Sequence, residues 1–237
     1  MDFSNIFTIY RREIRSYFNS PVAYVVIVVF LAIIGWFFTS NLFLMNVASL
    51  RIVFELVPIV FLFFVPAITM RLLAEEKKAG TLELLTTKPV RDVEIVLGKF
   101  LAAWTLLAAA LAPTLIYLIS MMLLGKPDVG PVITGYLGLI LMGAVYIGIG
   151  LFASSLTENQ IIAFIVAFLI VLALFMMDKV LMFVPAALTS TVEFLGIDYH
   201  FSNIARGVID SRDIIYFASL IGFSLMLATL SLERRKW

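Results

Sequence analysis

The chain has no cysteine and a single histidine, His200. Without cysteine it can form neither disulfides nor thiolate metal sites, and it has no thiol nucleophile. It also lacks a glycine-rich phosphate loop of the GxxxxGKS/T type, and its net charge of +1 gives no basic surface for nucleic acid. We therefore expect this chain to bind no cofactor, no metal and no nucleic acid. Any ATP on which it depends should be bound by another chain.

Charged residues are scarce: they make up 14% of the 237 residues, whereas 62% are apolar, a balance atypical of water-soluble domains. A bilayer core about 30 Å thick requires roughly 20 apolar residues per helix. Five charge-free segments are predicted to be spans: those between Arg15 and Arg51, Lys99 and Lys126, Asp128 and Glu158, Glu158 and Asp178, and Asp213 and Glu233. A sixth span is predicted from about Ile52 to Leu73, kinked by Pro58 and Pro66.

The predicted fold class is therefore an all-α membrane protein with six transmembrane helices in a single domain, residues 1–237. Positively charged loops stay on the cytoplasmic side of a membrane. With six spans, twelve of the 17 lysines and arginines fall on the side that holds both termini and the loop after the second span. Both termini are accordingly predicted to be cytoplasmic.

The first 20 residues are predicted to form an amphipathic helix in the cytoplasmic interface. Apolar residues recur there at helical spacing, while the arginines lie off that stripe. The stripe comprises Phe3, Ile6, Phe7, Tyr10, Ile14, Tyr17 and Phe18, and the arginines are Arg11, Arg12 and Arg15. No small-residue cleavage site follows a short apolar core, so we expect this segment to stay attached.

Between the fifth and sixth spans, residues 180–212 are predicted to lie on the outer side. The apolar stretch from Val180 to Val192 is too short to cross a bilayer and contains Pro185. We interpret it as a re-entrant or interfacial hairpin, with an ordinary loop as the alternative. Asp178 and Lys179 are expected to pair at the membrane surface, and His200 is expected to be a loop residue rather than a metal ligand.

The longest charged segment is "RLLAEEKKAGTLELLTTKPVRD", residues 71–92, which we call the charged island. The second span is expected to continue through it until Gly80 ends the helix. Thr81 would then cap a short transverse helix, Pro89 would stop that helix, and Asp92 would cap the third span near Val93. Leucines beside charges on this short helix indicate a docking surface in the cytoplasmic loop 74–92, although a charged spacer is the alternative.

Two further patterns predict contacts. Thr157 and Gln160 have capping-box spacing for the fifth span, and residues Thr157, Glu158, Asn159 and Gln160 form a candidate second cytoplasmic contact or a simple tight turn. In the fourth span, small residues at Gly143, Ala144 and Gly148 permit close helix packing, either within the bundle or at a subunit interface.

The segment "AEEKKAGTLELLTTKPV" resembles the signature of ABC-2-type transporter permeases, which have six spans and a cytoplasmic coupling helix in this loop. By resemblance, the ATPase-coupling residues are Glu75, Glu76, Gly80, Thr81, Glu83, Leu84, Leu85 and Pro89, and the amphipathic leader corresponds to the connecting helix. The segments "SSLTENQIIAF" and "YHFSNIARGVIDSRDIIYF" are similar, more narrowly, to the permease subunit of gliding-motility-associated ABC transporters.

This resemblance implies a subunit of the bacterial cytoplasmic (inner) membrane, surrounded by membrane lipid and driven by a dimer of ABC ATPase subunits that bind ATP and Mg²⁺. It also implies a second permease subunit, either identical or a related chain with a large outer domain. The chain itself is then not an enzyme.

Two other functions are alternatives: a non-transporting anchor that passes ATPase-driven motion to an outer partner, and an intramembrane enzyme built on Glu75 and Glu76. The enzyme is disfavoured because those glutamates and His200 are predicted to lie on opposite sides of the membrane. The apolar spans favour a lipid-like substrate or force transmission over a small charged solute.

Overall fold

A computed structural model describes residues 2–44, 50–81, 90–124, 128–181, 185 and 189–234. Every regular element in these ranges is a helix. The helices are α1 (Phe3–Asn19), α2 (Pro21–Leu44), α3 (Arg51–Thr69), α4 (Ala74–Lys78), α5 (Asp92–Leu111), α6 (Leu115–Leu124), α7 (Val129–Leu156), α8 (Gln160–Met176), α9 (Thr189–Leu195), α10 (Ile197–Ala205) and α11 (Ser211–Glu233), and a 3₁₀ turn (Ala112–Thr114) joins α5 to α6. The predicted all-α class is confirmed.

Five helical segments in the described ranges are long and apolar enough to cross a bilayer. They are Ala23–Phe43, Arg51–Lys78, Asp92–Leu123, Val129–Leu156 and Ser211–Glu233. The remaining predicted span corresponds to α8, an apolar helix of 17 residues. It falls slightly short of the roughly 20 residues that a perpendicular span needs. The structure thus supports a multi-pass membrane protein with five candidate spans, where six were predicted.

Helix α7 forms the centre of the bundle because its glycines let four neighbouring helices approach closely. Added methyl groups on these glycines would meet side chains of α3, α5, α10 and α11. The pairs are Gly135 with Phe54, Gly138 with Phe201, Gly143 with Leu107, Gly148 with Ser224, and Gly150 with Thr69. The close packing predicted for the fourth span therefore serves the bundle of this chain.

The second span does not run on unbroken to Gly80, as we had expected. Helix α3 ends at Thr69, and a turn over residues 70–73 separates it from α4. The hydroxyl of Ser154, in α7, bonds to the backbone of this turn. It accepts from the Leu73 and Ala74 amides at 3.0 Å each and donates to the Met70 carbonyl at 2.9 Å. These bonds satisfy backbone groups that a helix break leaves without partners.

Two predicted helix caps were wrong. Helix α5 begins at Asp92 itself, and the Glu94 carboxylate accepts from the Arg91 amide at 3.2 Å. Helix α8 is capped by Asn159, whose side chain accepts from the Ile161 amide at 2.9 Å, and not by a Thr157–Gln160 box. In both places a neighbouring side chain satisfies a backbone amide at the helix start, although not the amide that the predicted cap would have bound.

The predicted amphipathic leader is a helix, α1. Ile6 and Ile9 are buried, and Ile9 packs so closely on α5 that a methyl group on Gly98 would lie 2.8 Å from it. Phe3 and Phe7, on the flank of the same stripe, are 79% and 62% exposed. The apolar stripe therefore divides between the protein and the surroundings, and the location of α1 in the membrane interface stays a prediction.

His200 is a buried residue of α10, so the expectation of a loop residue was wrong. Its Nδ1 lies 2.6 Å from Asp213 Oδ1, its Nε2 lies 2.8 Å from the Phe194 carbonyl, and its ring stacks on Tyr216. Each ring nitrogen therefore lies within hydrogen-bonding distance of an oxygen, as is usual for buried polar groups. Nearby, Lys179 pairs with Asp178 at 3.3 Å, as predicted, and with Asp198 at 2.8 Å.

The predicted hairpin region contains α9 and α10, while its residues 182–184 and 186–188 lie outside the described residues. Helix α10 packs on α7, where Phe201 and Ile204 contact Gly138. A re-entrant hairpin within 180–212 stays a prediction.

Replacement of Gly150 by alanine tests the central position of α7. The new methyl group would lie 2.7 Å from Thr69 Cβ, so Gly150→Ala should destabilise the fold by about 1–3 kcal/mol. Gly222→Ala, in α11, is the matched control because nothing lies within 4 Å of its added carbon, and it should gain up to about 1 kcal/mol. Thermal unfolding in detergent measures both. Equal melting temperatures for the two variants would contradict this packing.

Candidate coupling site at the charged island

The residues predicted for coupling begin in α4 and continue past its end. Glu75 and Glu76 belong to α4, and Gly80 follows it with φ +67°, the left-handed conformation that ends helices. The Gly80 amide donates to the Lys77 carbonyl at 3.1 Å, so the predicted helix stop at Gly80 is confirmed. Thr81 donates its hydroxyl back to the Glu76 carbonyl at 3.3 Å. The predicted transverse helix, with Glu83, Leu84, Leu85 and Pro89, lies outside the described residues.

A buried ammonium group ties α4 to two other helices. Lys99, in α5, is 1% exposed, and its Nζ lies 3.1 Å from Glu13 Oε1 and 3.0 Å from Glu76 Oε2. Arg12 bonds to Glu13 Oε1 at 3.0 Å and also contacts Glu76 Oε1. We call Arg12, Glu13, Glu76 and Lys99 the four-charge cluster. Its two cations and two carboxylates cancel, as burial of charge requires.

The carboxylate of Glu13 stays ionised in this cluster. Burial by itself raises its pKa, but Lys99 and Arg12 more than offset that effect and hold the pKa of Glu13 below its usual value of 4.5. The side chain is therefore a permanent anion at neutral pH, and it gives α1 a fixed electrostatic link to α5.

The start of α1 is fastened to the start of α5 by a second carboxylate. Glu94 accepts from the Asp2 amide at 2.6 Å and from Asn5 Nδ2 at 3.0 Å. Farther along α5 than Lys99, the hydroxyls of Thr105 and Tyr10 lie 3.3 Å apart. Helix α1 is thus held at three levels along α5.

Helix α4 is also joined to the end of α7, and through Ser155 to α11. Besides the bonds of Ser154, the Lys77 ammonium donates to the Ser155 carbonyl, and Ser231 of α11 donates to the same carbonyl at 3.2 Å. We call this side of the bundle, where α4 bonds to Ser154 and Ser155 and Ser231 bonds to Ser155, the island end. A displacement of α4 therefore acts on α1, α5, α7 and α11 together.

The second predicted contact, Thr157 to Gln160, follows directly after Ser155. Within this turn Thr157 Oγ1 accepts from the Asn159 amide at 3.1 Å, and Glu158 and Asn159 are exposed. The two segments that the sequence assigned to one partner thus lie at the same end of the bundle.

The glutamates of α4 and the histidine do not form one site. Glu75 pairs with Arg71 at 3.1 Å, and Glu76 belongs to the four-charge cluster, whereas His200 pairs with Asp213. Along α7, Ser155 beside α4 and Gly138 beside α10 are separated by about 26 Å at 1.5 Å per residue. In the described part of the chain, no three acidic or histidine residues are grouped as metal ligands would be.

Lys99, Glu13, Glu94 and Ser154 are the residues that sequence reasoning missed. By its sequence position alone, Lys99 belongs to the charges of the cytoplasmic loop. The position of Lys99 could have indicated its burial. It lies two turns inside the helix that begins at Asp92, too far from the helix start to remain a surface residue. Glu13 is the one acidic residue within the arginine-rich part of α1.

A family model described as ABC-2 family transporter protein matches residues 10–197. The match begins within α1, includes the whole charged island and ends at the first residue of α10. No curated protein matches the chain.

Removal of the buried cation tests the four-charge cluster. Lys99→Met leaves Glu13 and Glu76 without their buried partner and should destabilise the fold by about 3–5 kcal/mol. Adding Glu13→Gln and Glu76→Gln to Lys99→Met should restore most of that loss, because the uncompensated charges are gone. The exposed Lys78→Met is the matched control and should change stability by no more than about 0.5 kcal/mol. Thermal unfolding measures all three. A triple variant less stable than Lys99→Met would contradict the electrostatic interpretation.

Proposed function

Because the chain belongs to the ABC-2 family of transporter proteins, we propose that it is a permease subunit driven by a separate ATPase that binds residues 80–89. Members of the family are membrane transport components that are not themselves catalytic, and the family implies an ATPase partner. One observation carries the proposal: α4, which leads directly into residues 80–89, is ion-paired to α1 and α5 and hydrogen-bonded to α7.

Force on the island would reach the membrane helices through these bonds. Separating Glu76 from Lys99 would leave the buried ammonium with Glu13 as its one carboxylate partner, and weakening the pairing of a buried charge is costly. Helix α4 therefore moves together with α1 and α5 rather than away from them. A partner that closes on ATP binding would bias this assembly between two arrangements, and that is coupling in the thermodynamic sense. ATP and Mg²⁺ belong to the partner in this mechanism.

The proposed topology has six spans with both termini in the cytoplasm. Helix α8 supplies the sixth span, since 17 residues extend about 26 Å and the turn beyond Met176 adds length. Contacts at the island end support an even number of spans: α1, α4, the turn before α8 and the end of α11 all meet there. The hairpin within 180–212 would then lie on the outer side.

The proposed assembly contains two permeases and two ATPase subunits in a bacterial cytoplasmic membrane. The second permease is an identical copy or a related chain with a large outer domain. Assignment to the gliding-motility type depends on the two segments quoted above and not on the family match. Identification of every chain that copurifies from native membranes distinguishes the two kinds of partner.

Single cysteines test the topology, because the natural chain has none. Thr81 and Val208 are both exposed, and they lie on opposite sides of the membrane in the proposed arrangement. A membrane-impermeant maleimide should label Thr81→Cys only in inverted vesicles and Val208→Cys only in right-side-out vesicles. The unmodified chain is the control for background labelling. Labelling of both positions from one side would rule out the six-span arrangement.

Substitution of Gly80 tests the binding of the ATPase. A β-branched residue disfavours φ +67°, so Gly80→Val should misdirect residues 81–89 at a cost of about 1–2 kcal/mol. At that cost the ATPase should copurify roughly tenfold less, and ATP hydrolysis by the reconstituted complex should no longer respond to the permease. Gly80→Asn should behave nearly as the natural chain, since asparagine tolerates this conformation.

The same experiment extends to the docking surface itself. Glu83→Lys should reduce copurification while membrane insertion stays intact. A photo-crosslinking residue at position 84 should capture the ATPase, and one at position 208 should not. Normal copurification of both Gly80→Val and Glu83→Lys, with no crosslink from position 84, would refute the proposal.

A further inference from the structure

A cavity of about 440 Å³ lies beside the charged island, between α1, α2, α3, α4 and α5. Its inner wall is apolar and comes from the spans, with Ala23 and Val26 of α2, Ala67 and Ile68 of α3, and Leu106 of α5. Its mouth is polar and comes from α1, α4 and Arg71. The side chains of Arg12 and Glu75 at this mouth are each 51% exposed, so the polar side faces the surroundings. A volume in this range is typical of ligand sites.

A buried hydroxyl group on the cavity wall lacks an acceptor. Tyr17 lines the cavity, and its hydroxyl is buried with no hydrogen-bond partner among the described residues. Burial and the neighbouring Glu13 raise the pKa of Tyr17, and Arg71 offsets this only in part, so the group stays protonated and can donate. A buried donor without an acceptor is destabilising and rare, and it indicates a missing partner.

A second set of donors faces the same space. Arg71 is 31% exposed and uses its Nε to bind Glu75 at 3.1 Å. A guanidinium carries five N–H donors in a planar fork, so donors remain for another acceptor. Such a fork suits phosphate oxygens. Tyr17 and Arg71 together therefore favour a ligand with an anionic oxygen group at the mouth of the cavity.

The overall charge of the cavity favours a ligand without net charge. Three cations and three carboxylates line it: Arg12, Arg71 and Lys99, with Glu13, Glu75 and Glu76. A ligand with a net negative charge would meet the carboxylates unfavourably, whereas one that adds a cationic group could pair with Glu75, which is only partly engaged at the surface. The arrangement of a zwitterionic mouth above an apolar wall matches the order of headgroup and acyl chain in a membrane phospholipid.

We propose that this cavity binds one phospholipid with a phosphoethanolamine headgroup. The phosphate accepts from Arg71 and, once the Tyr17 side chain rotates so that its buried hydroxyl faces the cavity, from Tyr17 as well. The ammonium lies toward Glu75, and an acyl chain lies along Val26, Ala67 and Leu106. A phosphocholine head has no N–H to donate, and a phosphoglycerol head has a net charge, so both fit less well. The bound lipid would join α1 to α3 next to the four-charge cluster. The inference concerns lipid binding and does not depend on the identity of the ATPase.

The test is lipid titration of the delipidated full chain in detergent. Phosphatidylethanolamine, phosphatidylcholine and phosphatidylglycerol with identical acyl chains, and inorganic phosphate alone, are compared by native mass spectrometry and by the shift in melting temperature. One equivalent of phosphatidylethanolamine should bind at least several-fold more tightly than the other lipids. Inorganic phosphate should give no shift.

Two variants and a control locate the site. Tyr17→Phe should weaken phosphatidylethanolamine binding about tenfold, as expected for loss of a hydrogen bond to a charged group. Ala67→Leu, which fills the apolar wall, should weaken it further. Tyr10→Phe is the matched control because Tyr10 lies on the same helix, does not line the cavity and has Thr105 as its partner. It should bind as the natural chain does.

The lipid-free proteins give an independent readout that a merely structural hydroxyl would not give. Without lipid, Tyr17→Phe should melt at the same temperature as the natural chain or higher, since it removes an unsatisfied donor. A lower melting temperature without lipid, or unchanged lipid binding by Tyr17→Phe, would overturn the proposal. Equal binding of all three lipids would identify unspecific surrounding lipid, and a shift with phosphate alone would identify a free-anion site. Either result also refutes it.

Discussion

The buried ammonium of Lys99 is the group on which the island end of the bundle depends. Moving a charge out of water costs several kcal/mol even after the protein relaxes, so the fold must supply carboxylates within ion-pair distance. One comes from α1, which is distant from α5 in sequence, and the other from α4. The position of Lys99 therefore constrains both helices at once, and Arg12 completes the charge balance.

The glycines of α7 impose the complementary constraint within the membrane. Lipid chains are as apolar as the helices, so helix association there depends on close packing rather than on apolar burial. Glycine at five contacts lets α3, α5, α10 and α11 approach α7, and Ser154 at its end fixes the turn that leads into α4. Charge pairing at one end and close packing along the centre thus fix α4 to the bundle, and the proposed coupling depends on this attachment.

The positions of the helices, and the stop at Gly80, were predictable because they depend on local composition and on the conformational preference of a single residue. The failures share a different cause. The break after Thr69 is made by Ser154, the cap of α5 involves a carboxylate that also binds Asp2, and His200 is buried by partners in α9 and α11. Each of these contacts joins residues from separate elements, and helical periodicity carries no information about them. The spacing of Lys99 within α5 was visible, but its partners were not.

The junction between α1 and α2 decides how motion would divide between them. Pro21 begins α2 and holds the preceding residue away from helical geometry, and Ser20 is indeed extended, with φ −98° and ψ 134°. Helices α1 and α2 are therefore two separate rods, although they adjoin in sequence. The ion pairs of α1 go to α4 and α5. In the proposed mechanism, movement of the island would carry α1 along with α5, and the change of angle would fall on Ser20, the single extended residue between α1 and α2.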